Sequence, residues 1–426
     1  MIRPFLGALT TPFKHNPAPF TDTLRYNRMQ ETNPHKPSKV DTFSGVSPRL
    51  GIIGGGQLAK MTALAGLELG CDVVVLERKQ YSPAANLASH SLIGDWDKPE
   101  DLAQLAESTD IVTLENEFVD ANSLATLEQA RYNLYPTSRC IGLVQDKYIQ
   151  KQTLAEAGLP VPAFQIVSTR DDIPDIAEEL GWPLVIKARR NAYDGKGNAT
   201  VNNPEEINAA WEKLDGDNRE LYAEAFCPFT MELAIIITTG SNGEVVSYPL
   251  VESVQRNHIC HIVRAPARVP DSLAVRASRI AREAVAAVGA IGSFGVEMFL
   301  TRDKEVIINE LAPRVHNSGH YTIEACECSQ FENHIRAVLG WPLGSTEMIK
   351  PAAVMINLLG QAEGSGEPIG IEDALRINGV HVHIYGKDKS NPGRKMGHVT
   401  AIGDSMDEVE ERAQRAADAI CFGENI

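Results

Sequence analysis

From Leu50 onward, short apolar runs alternate with longer amphipathic stretches, the pattern of strands exchanging with helices. Leu50–Ile53 reads as a strand, followed by Gly54-Gly55-Gly56-Gln57 and an apolar helix through Leu69. Asp72–Leu76 is a strand ending in Glu77, and Ser91–Gly94 a short third one. Pro99–Glu107 is a helix, and Asp110–Leu114 a strand ending in Glu115-Asn116-Glu117. Such βαβ alternation predicts a parallel sheet with covering helices, and its ligand groups collect at the carboxyl ends of the strands. A helix over 145–158 carries Lys147 and Lys151 one turn apart and is broken by Pro160 and Pro162. A strand at Leu184–Lys187, a Gly-rich loop, a strand at Leu221–Glu224 and a β-rich stretch from Met231 to Ile262 follow. A helix from Leu273 to Val288 comes next, and after Pro351 the pattern is again β-like.

The most informative segment is a pair of strands. Gly295–Leu300 and the apolar run ending in Asn309-Glu310 flank a turn-like Thr301-Arg302-Asp303-Lys304. With a four-residue loop at Arg302–Glu305, Glu297 lies opposite Glu310. Cross-strand Cβ atoms are then about 5 Å apart on one face, where like charges repel unless a cation lies between them. Hard divalent ions such as Mg2+ take carboxylate oxygens and keep phosphate as a further ligand. A lone Glu pair is ordinarily a solvated sheet face. The loop directly after it, with Arg314, His316, Asn317, Ser318 and His320, argues for chemistry instead.

Composition narrows the partners. At 426 residues, 43% hydrophobic and 23% charged, the chain has the makeup of a soluble globular protein with several cores. A net charge of −16 argues against nucleic acid or an anionic membrane, and no apolar run approaches a bilayer span. Seven cysteines without paired spacing fit a reducing compartment, and Cys326-Glu327-Cys328 lacks the second ligand pair of a zinc site. Residues 1–46 differ: they are Pro-rich and basic, with little apolar periodicity. They read as a disordered extension or an over-long start with Met29 as an internal start, and a transit peptide is the alternative.

Gly54-Gly55-Gly56-Gln57-Leu58-Ala59, with Glu77 beyond, matches a loose dinucleotide fingerprint, though any Gly-rich strand-to-helix turn can bind phosphate through its amides. Tyr193-Asp194-Gly195-Lys196-Gly197 reads either as a hairpin turn or as a loop closing on phosphate. Lys187, at the end of an apolar strand, calls for an anionic partner.

The order Lys147, Lys187, Gly-rich flap, Glu224, Glu232, Glu297, Asn309-Glu310 resembles that of ATP-grasp ligases. Gly94-Asp95-Trp96, Glu115-Asn116-Glu117-Phe118-Val119, Pro313-Arg314-Val315-His316-Asn317-Ser318-Gly319-His320 and Gly393–His398 narrow the resemblance. Over about residues 48–420 the chain resembles the N5-carboxyaminoimidazole ribonucleotide synthetases. That resemblance implies an α/β fold, α+β in parts. A Rossmann-like domain would span 47–146, an ATP-grasp domain 147–349 with a flap subdomain at about 160–228, and a small β-rich domain 350–426.

It also implies ATP as substrate, bicarbonate as co-substrate, Mg2+, and 5-aminoimidazole ribonucleotide as the molecule carboxylated. Lys147 and Lys187 would touch the ATP phosphates, under the flap formed by Tyr193, Asp194, Gly195, Lys196, Gly197 and Asn198. Glu224 and the backbone of Ala225, Phe226 and Cys227 would hold adenine, and Glu232 the ribose. Glu297 and Glu310 would hold Mg2+, with Asn309 beside them. Arg314, His316 and Asn317 would line the bicarbonate site, with Arg314 gripping the anion in a bidentate way, and Asp194 would sit near the substrate amine. Lys387 and Arg394 would bind the ribonucleotide phosphate, with Gln57 and Glu115 on the same side. The flap departs from the family in Asn191-Ala192, where Gly-Gly is more frequent. A cytoplasmic homodimer, or an organellar one if residues 1–46 are a transit peptide, would pass its product to a separate mutase. Another ATP-grasp carboxylase or a formate-dependent transformylase is the alternative, since it would share the ATP site.

Overall fold

A computed structural model describes residues 47–191 and 197–423. Four parallel strands open the fold: β1 (Arg49–Ile53), β2 (Asp72–Glu77), β3 (His90–Ile93) and β4 (Ile111–Leu114), in the order β3-β2-β1-β4. β1, β2 and β4 are almost continuously buried because helices cover both faces, which is why they read as apolar runs rather than alternating ones. This is the Rossmann-like sheet expected from the sequence.

A second sheet is antiparallel, with β5 (Phe164–Val167), β6 (Leu184–Ala188), β7 (Asn198–Val201) and β8 (Leu221–Ala225) in the order β5-β8-β6-β7. The helices Ile173–Leu180 and Ile207–Leu214 bury Ile176, Ala177, Trp211 and Leu214 against it.

The large sheet joins β9 (Phe229–Thr239), β10 (Val245–Ser247), β11 (Val251–Arg256), β12 (Ile259–Ala265), β13 (Gly292–Thr301) and β14 (Val306–Ala312). The C-terminal β-rich part contributes β15 (Ala352–Leu359), β16 (Gly364–Ser365), β17 (Val380–Ile384), β18 (Lys389–Ser390) and β19 (Lys395–Gly403). It continues the central sheet rather than building a separate one. The order is β14-β13-β9-β11-β12-β15-β19-β17, with β10 on β9 and a small β16-β18 pair apart. The helix Met406–Ala419 packs Val409, Ala413 and Ala416 on the C-terminal strands.

One imidazole joins the parallel sheet to the central one. The Ser293 amide in β13 donates to His334 Nδ1 at 3.1 Å, so the ring carries its proton on Nε2, which donates to Thr113 Oγ1 of β4 at 2.8 Å. Burial pushes His334 down to about 4, and the ring stays neutral. Replacing Thr113 with Val leaves a buried N–H without its acceptor. Thr113→Val is expected to lower stability by about 1–3 kcal/mol, read from urea-denaturation midpoints. An unchanged midpoint would show that the contact contributes nothing.

Candidate active site

A cleft of about 1060 Å³ opens between the three sheets, and both glutamates of the hairpin line it. Glu297 of β13 stands opposite Glu310 of β14, as expected, but by another route. The turn is one residue shorter than the four-residue loop anticipated, because the Thr301 amide donates to Glu305 O, which leaves only Arg302–Lys304 in the loop and pairs Leu300 with Val306. In that register Glu297 would face Asn309. A β-bulge shifts the pairing between Met298↔Ile308 and Glu297↔Glu310, leaving Asn309 as the extra residue. Side chains alternate in a regular strand, so only this bulge lets the neighbours Asn309 and Glu310 both line the cleft.

The charges around the pair are arranged by burial and by the lysines. Lys147 Nζ forms an ion pair with Glu310. Burial pushes Glu310 up, but the Lys147 ammonium outweighs it and holds the carboxyl below its usual range. Burial, helped by the nearby Glu310 and Glu232 carboxylates, raises Glu297. His316 lies above Glu297, with Nε2 3.5 Å from Oε1. Its Nδ1 accepts from the Ser318 amide at 3.3 Å, which leaves the proton on Nε2. Burial and then Arg314 push His316 down to about 3. A Cβ at Gly295 would come within 2.5 Å of the imidazole, so only glycine in β13 leaves room for His316.

Lys147 opens the helix Lys147–Glu156, whose N-cap is the fully buried Asp146. That carboxylate accepts from the Tyr148 and Ile149 amides and from Arg189 at 3.0 and 2.6 Å, with Arg190 at 3.3 Å. Asp146 therefore ties the helix bearing Lys147 to the end of β6, which bears Lys187. Lys187 Nζ is 2.7 Å from Glu224 and 3.4 Å from Asn309 Oδ1.

Several of the predicted residues have partners within the chain. Glu224 lines the cleft, and Lys187, Lys151 at 3.3 Å and Tyr222 Oη at 3.0 Å take its carboxylate. Burial pushes it up, but the two lysines hold it near about 2. Ala225, Phe226, Cys227 and Glu232 line the cleft with it, and burial pushes Glu232 up to about 7. Arg314 has its Nε and Nη2 edge occupied by Glu117 at 2.6 and 3.1 Å, which leaves the Nη1 and Nη2 end of the guanidinium for an anion. Glu115 lines the cleft, but its oxygens accept from the Gly56 amide at 2.7 Å and the Ala59 amide at 3.0 Å. Glu77 likewise takes the Gly55 amide at 2.8 Å. The Gly-rich turn thus cradles the protein's own carboxylates rather than a dinucleotide, and a Cβ at Gly56 would lie within 2.7 Å of Glu115.

The remaining predicted residues gather on the same cleft. Gln57, Gly197, Asn198, Lys387 and Arg394 all line it, with Lys395 beside them. Lys387 Nζ donates to the Lys395 carbonyl at 2.6 Å. Asn317 lines it with its amide paired to Asn357. Tyr193, Asp194, Gly195 and Lys196 lie outside the described residues. Sequence reasoning overlooked Asp146 and Asn357 and left Glu117 and Lys151 without a role. An Asp directly before a helix is an N-cap signal, and a lone Asn within the apolar run 352–359 is the mark of a buried amide.

Known proteins follow the same plan. Family models match in series: the ribonucleotide synthetase preATP-grasp domain over residues 48–145, the ATP-grasp domain over 152–331, and the phosphoribosylaminoimidazole carboxylase C-terminal domain over 353–412. A phosphoribosylaminoimidazole carboxylase of Candida glabrata is 41% identical, over 86% of this chain and 66% of the relative, so the chain spans just under two thirds of that protein. The N5-carboxyaminoimidazole ribonucleotide synthase of Synechococcus elongatus is 38% identical, over 87% of this chain and 94% of the relative. A crystal structure of N5-carboxyaminoimidazole synthase from Aspergillus clavatus, with ADP and 5-aminoimidazole ribonucleotide, has a TM-score of 0.81 and 38% identity, covering 87% of this chain and 98% of that one. With three family domains in series and this identity across nearly the whole Synechococcus protein, the chain belongs to the N5-carboxyaminoimidazole ribonucleotide synthase family of ATP-grasp ligases.

Proposed function

We propose that the chain carboxylates 5-aminoimidazole ribonucleotide to N5-carboxyaminoimidazole ribonucleotide at the expense of ATP and bicarbonate, a step of purine biosynthesis. The observation that carries this reading is that the opposed glutamates, two lysines and a basic turn all open into one cleft. A bicarbonate oxygen attacks the γ-phosphorus, and the bond to the β,γ-bridging oxygen breaks to release ADP. The exocyclic amine of the ribonucleotide then attacks the carboxyl carbon, loses a proton and expels phosphate.

Phosphoryl transfer needs positioning and charge neutralisation more than covalent help. Lys147 and Lys187 supply positive charge, and both are already oriented by carboxylates before nucleotide arrives. Ala225, Phe226, Cys227 and Glu232 line the part of the cleft given to the nucleoside. The neutral His316 presents its Nε2–H, and Arg314, anchored on Glu117, brings a cation to the bicarbonate. Lys387, Arg394 and Lys395 suit the dianionic phosphate of the ribonucleotide. The flap residues Tyr193 to Lys196, including Asp194, complete this assignment by the family resemblance.

Glu297, Glu310 and Asn309 fit Mg2+. Two carboxylates opposed on one strand pair, one of them raised by its neighbours, are a donor set that a divalent cation relieves. When bound, the ion would neutralise charge on the phosphates being separated. By the same resemblance we infer a cytoplasmic homodimer whose product goes to a separate mutase.

Glu310→Gln is expected to lower kcat by about 10²-fold or more in a steady-state assay at saturating Mg2+. Near-normal turnover would remove Glu310 from the metal site. Arg394→Ala is expected to raise the KM for the ribonucleotide by about tenfold or more while leaving that for ATP nearly unchanged. An equal rise in the ATP KM would overturn the assignment of the basic turn.

A further inference from the structure

We propose that Asn357 is a positioning residue that decides which way the Asn317 amide faces, so that Asn317 offers an N–H and not an oxygen to the anion in the cleft. The inference rests on the reading of Asn317 as part of the bicarbonate site.

A side-chain amide is nearly symmetric in shape but not in chemistry: one end donates and the other accepts. Unless its partners fix it, an amide beside an anion can turn either end towards it. Here the partners form a chain with a defined polarity. The Cys260 carbonyl can only accept, and Asn357 Nδ2 donates to it at 2.9 Å. That fixes the Asn357 amide, whose other N–H and oxygen then face Asn317. Asn357 Nδ2 donates to Asn317 Oδ1 at 2.7 Å, and Asn317 Nδ2 donates to Asn357 Oδ1 at 2.9 Å.

This reciprocal pair occupies the Asn317 oxygen and one of its two N–H groups. The second N–H of Asn317 is left for the cleft that the residue lines. Asn357 itself is 2% exposed and does not line the cleft, so it acts through Asn317. If the relay were broken, Asn317 could turn its oxygen towards bicarbonate, replacing an attraction with a repulsion. The relay also crosses the fold. Asn317 follows β14, Cys260 is in β12, and Asn357 is in β15, which pairs with β19 directly after the basic turn.

The test is the bicarbonate KM of Asn357→Leu, which keeps the volume and removes every hydrogen bond. It is measured in carbon dioxide-depleted buffer, beside the ATP KM and in both the parent and an Asn317→Ala background. Asn357→Ala serves as a second variant should Leu prevent folding. The bicarbonate KM is expected to rise about fivefold or more with the ATP KM nearly unchanged. In the Asn317→Ala background the same change is expected to add nothing, because the relay has no amide left to orient. An additive effect in that background, or a parental bicarbonate KM in the folded Asn357 variants while Asn317→Ala raises it, would overturn the positioning role and leave the bicarbonate reading standing. A parental bicarbonate KM in Asn317→Ala itself would overturn both.

Discussion

The chemistry of the cleft depends on one extra residue in an edge strand. β14 carries Asn309 and Glu310 side by side, and a regular strand would send them to opposite faces. The bulge opposite Glu297 turns both into the cleft. Such a distortion needs support, and among the described residues β14 is the last strand of its sheet, with no strand on its outer edge. The helix Lys147–Glu156 supplies that support. Gln150 exchanges two hydrogen bonds with the Leu311 backbone, at 2.8 and 3.2 Å, and Lys151 Nζ donates to the Ile308 carbonyl at 3.1 Å. The backbone on both sides of the bulge is thereby held by side chains from the helix that also presents Lys147 to Glu310.

A second consequence concerns charge. The chain is strongly acidic, yet its buried cations are concentrated around this cleft, each matched to a carboxylate. Lys147 meets Glu310, Lys151 and Lys187 share Glu224, Arg314 meets Glu117, and Arg189 meets Asp146. Burying a charge without a partner is costly, so these pairings keep the empty cleft folded while fixing the cations in place. Lys151 is still lowered to about 8, because burial outweighs its partner. An incoming polyanion therefore meets preoriented cations and competes with carboxylates already in position.

The layers of the fold were legible because periodicity reports which faces are buried. The apolar runs of β1, β2 and β4 and the amphipathic helices appear close to where the pattern put them. The opposition of Glu297 and Glu310 was legible too, though a turn one residue shorter and a bulge of one extra residue cancelled to give it, and neither leaves a mark in residue types. What the sequence hid were side chains whose partners lie far along the chain. The Gly-rich turn looks the same whether its amides face a phosphate or a carboxylate, and only Glu115, 59 residues beyond Gly56, decides. Arg314 and Glu117 are separated by 197 residues, and Asn317 and Asn357 by 40. Nothing local distinguishes Arg314, Glu117 or Asn317 from polar groups in contact with water, and the apolar run around Asn357 marks its burial but not its partner.

The most direct measurement is ADP release by the full chain with Mg-ATP and bicarbonate, with and without 5-aminoimidazole ribonucleotide. If the cleft joins nucleotide and ribonucleotide as proposed, the ribonucleotide strongly stimulates ADP release, with phosphate and the carbamate product formed one for one. ADP release unaffected by the ribonucleotide, in protein that still binds ATP, would contradict the proposal and point to a different acceptor.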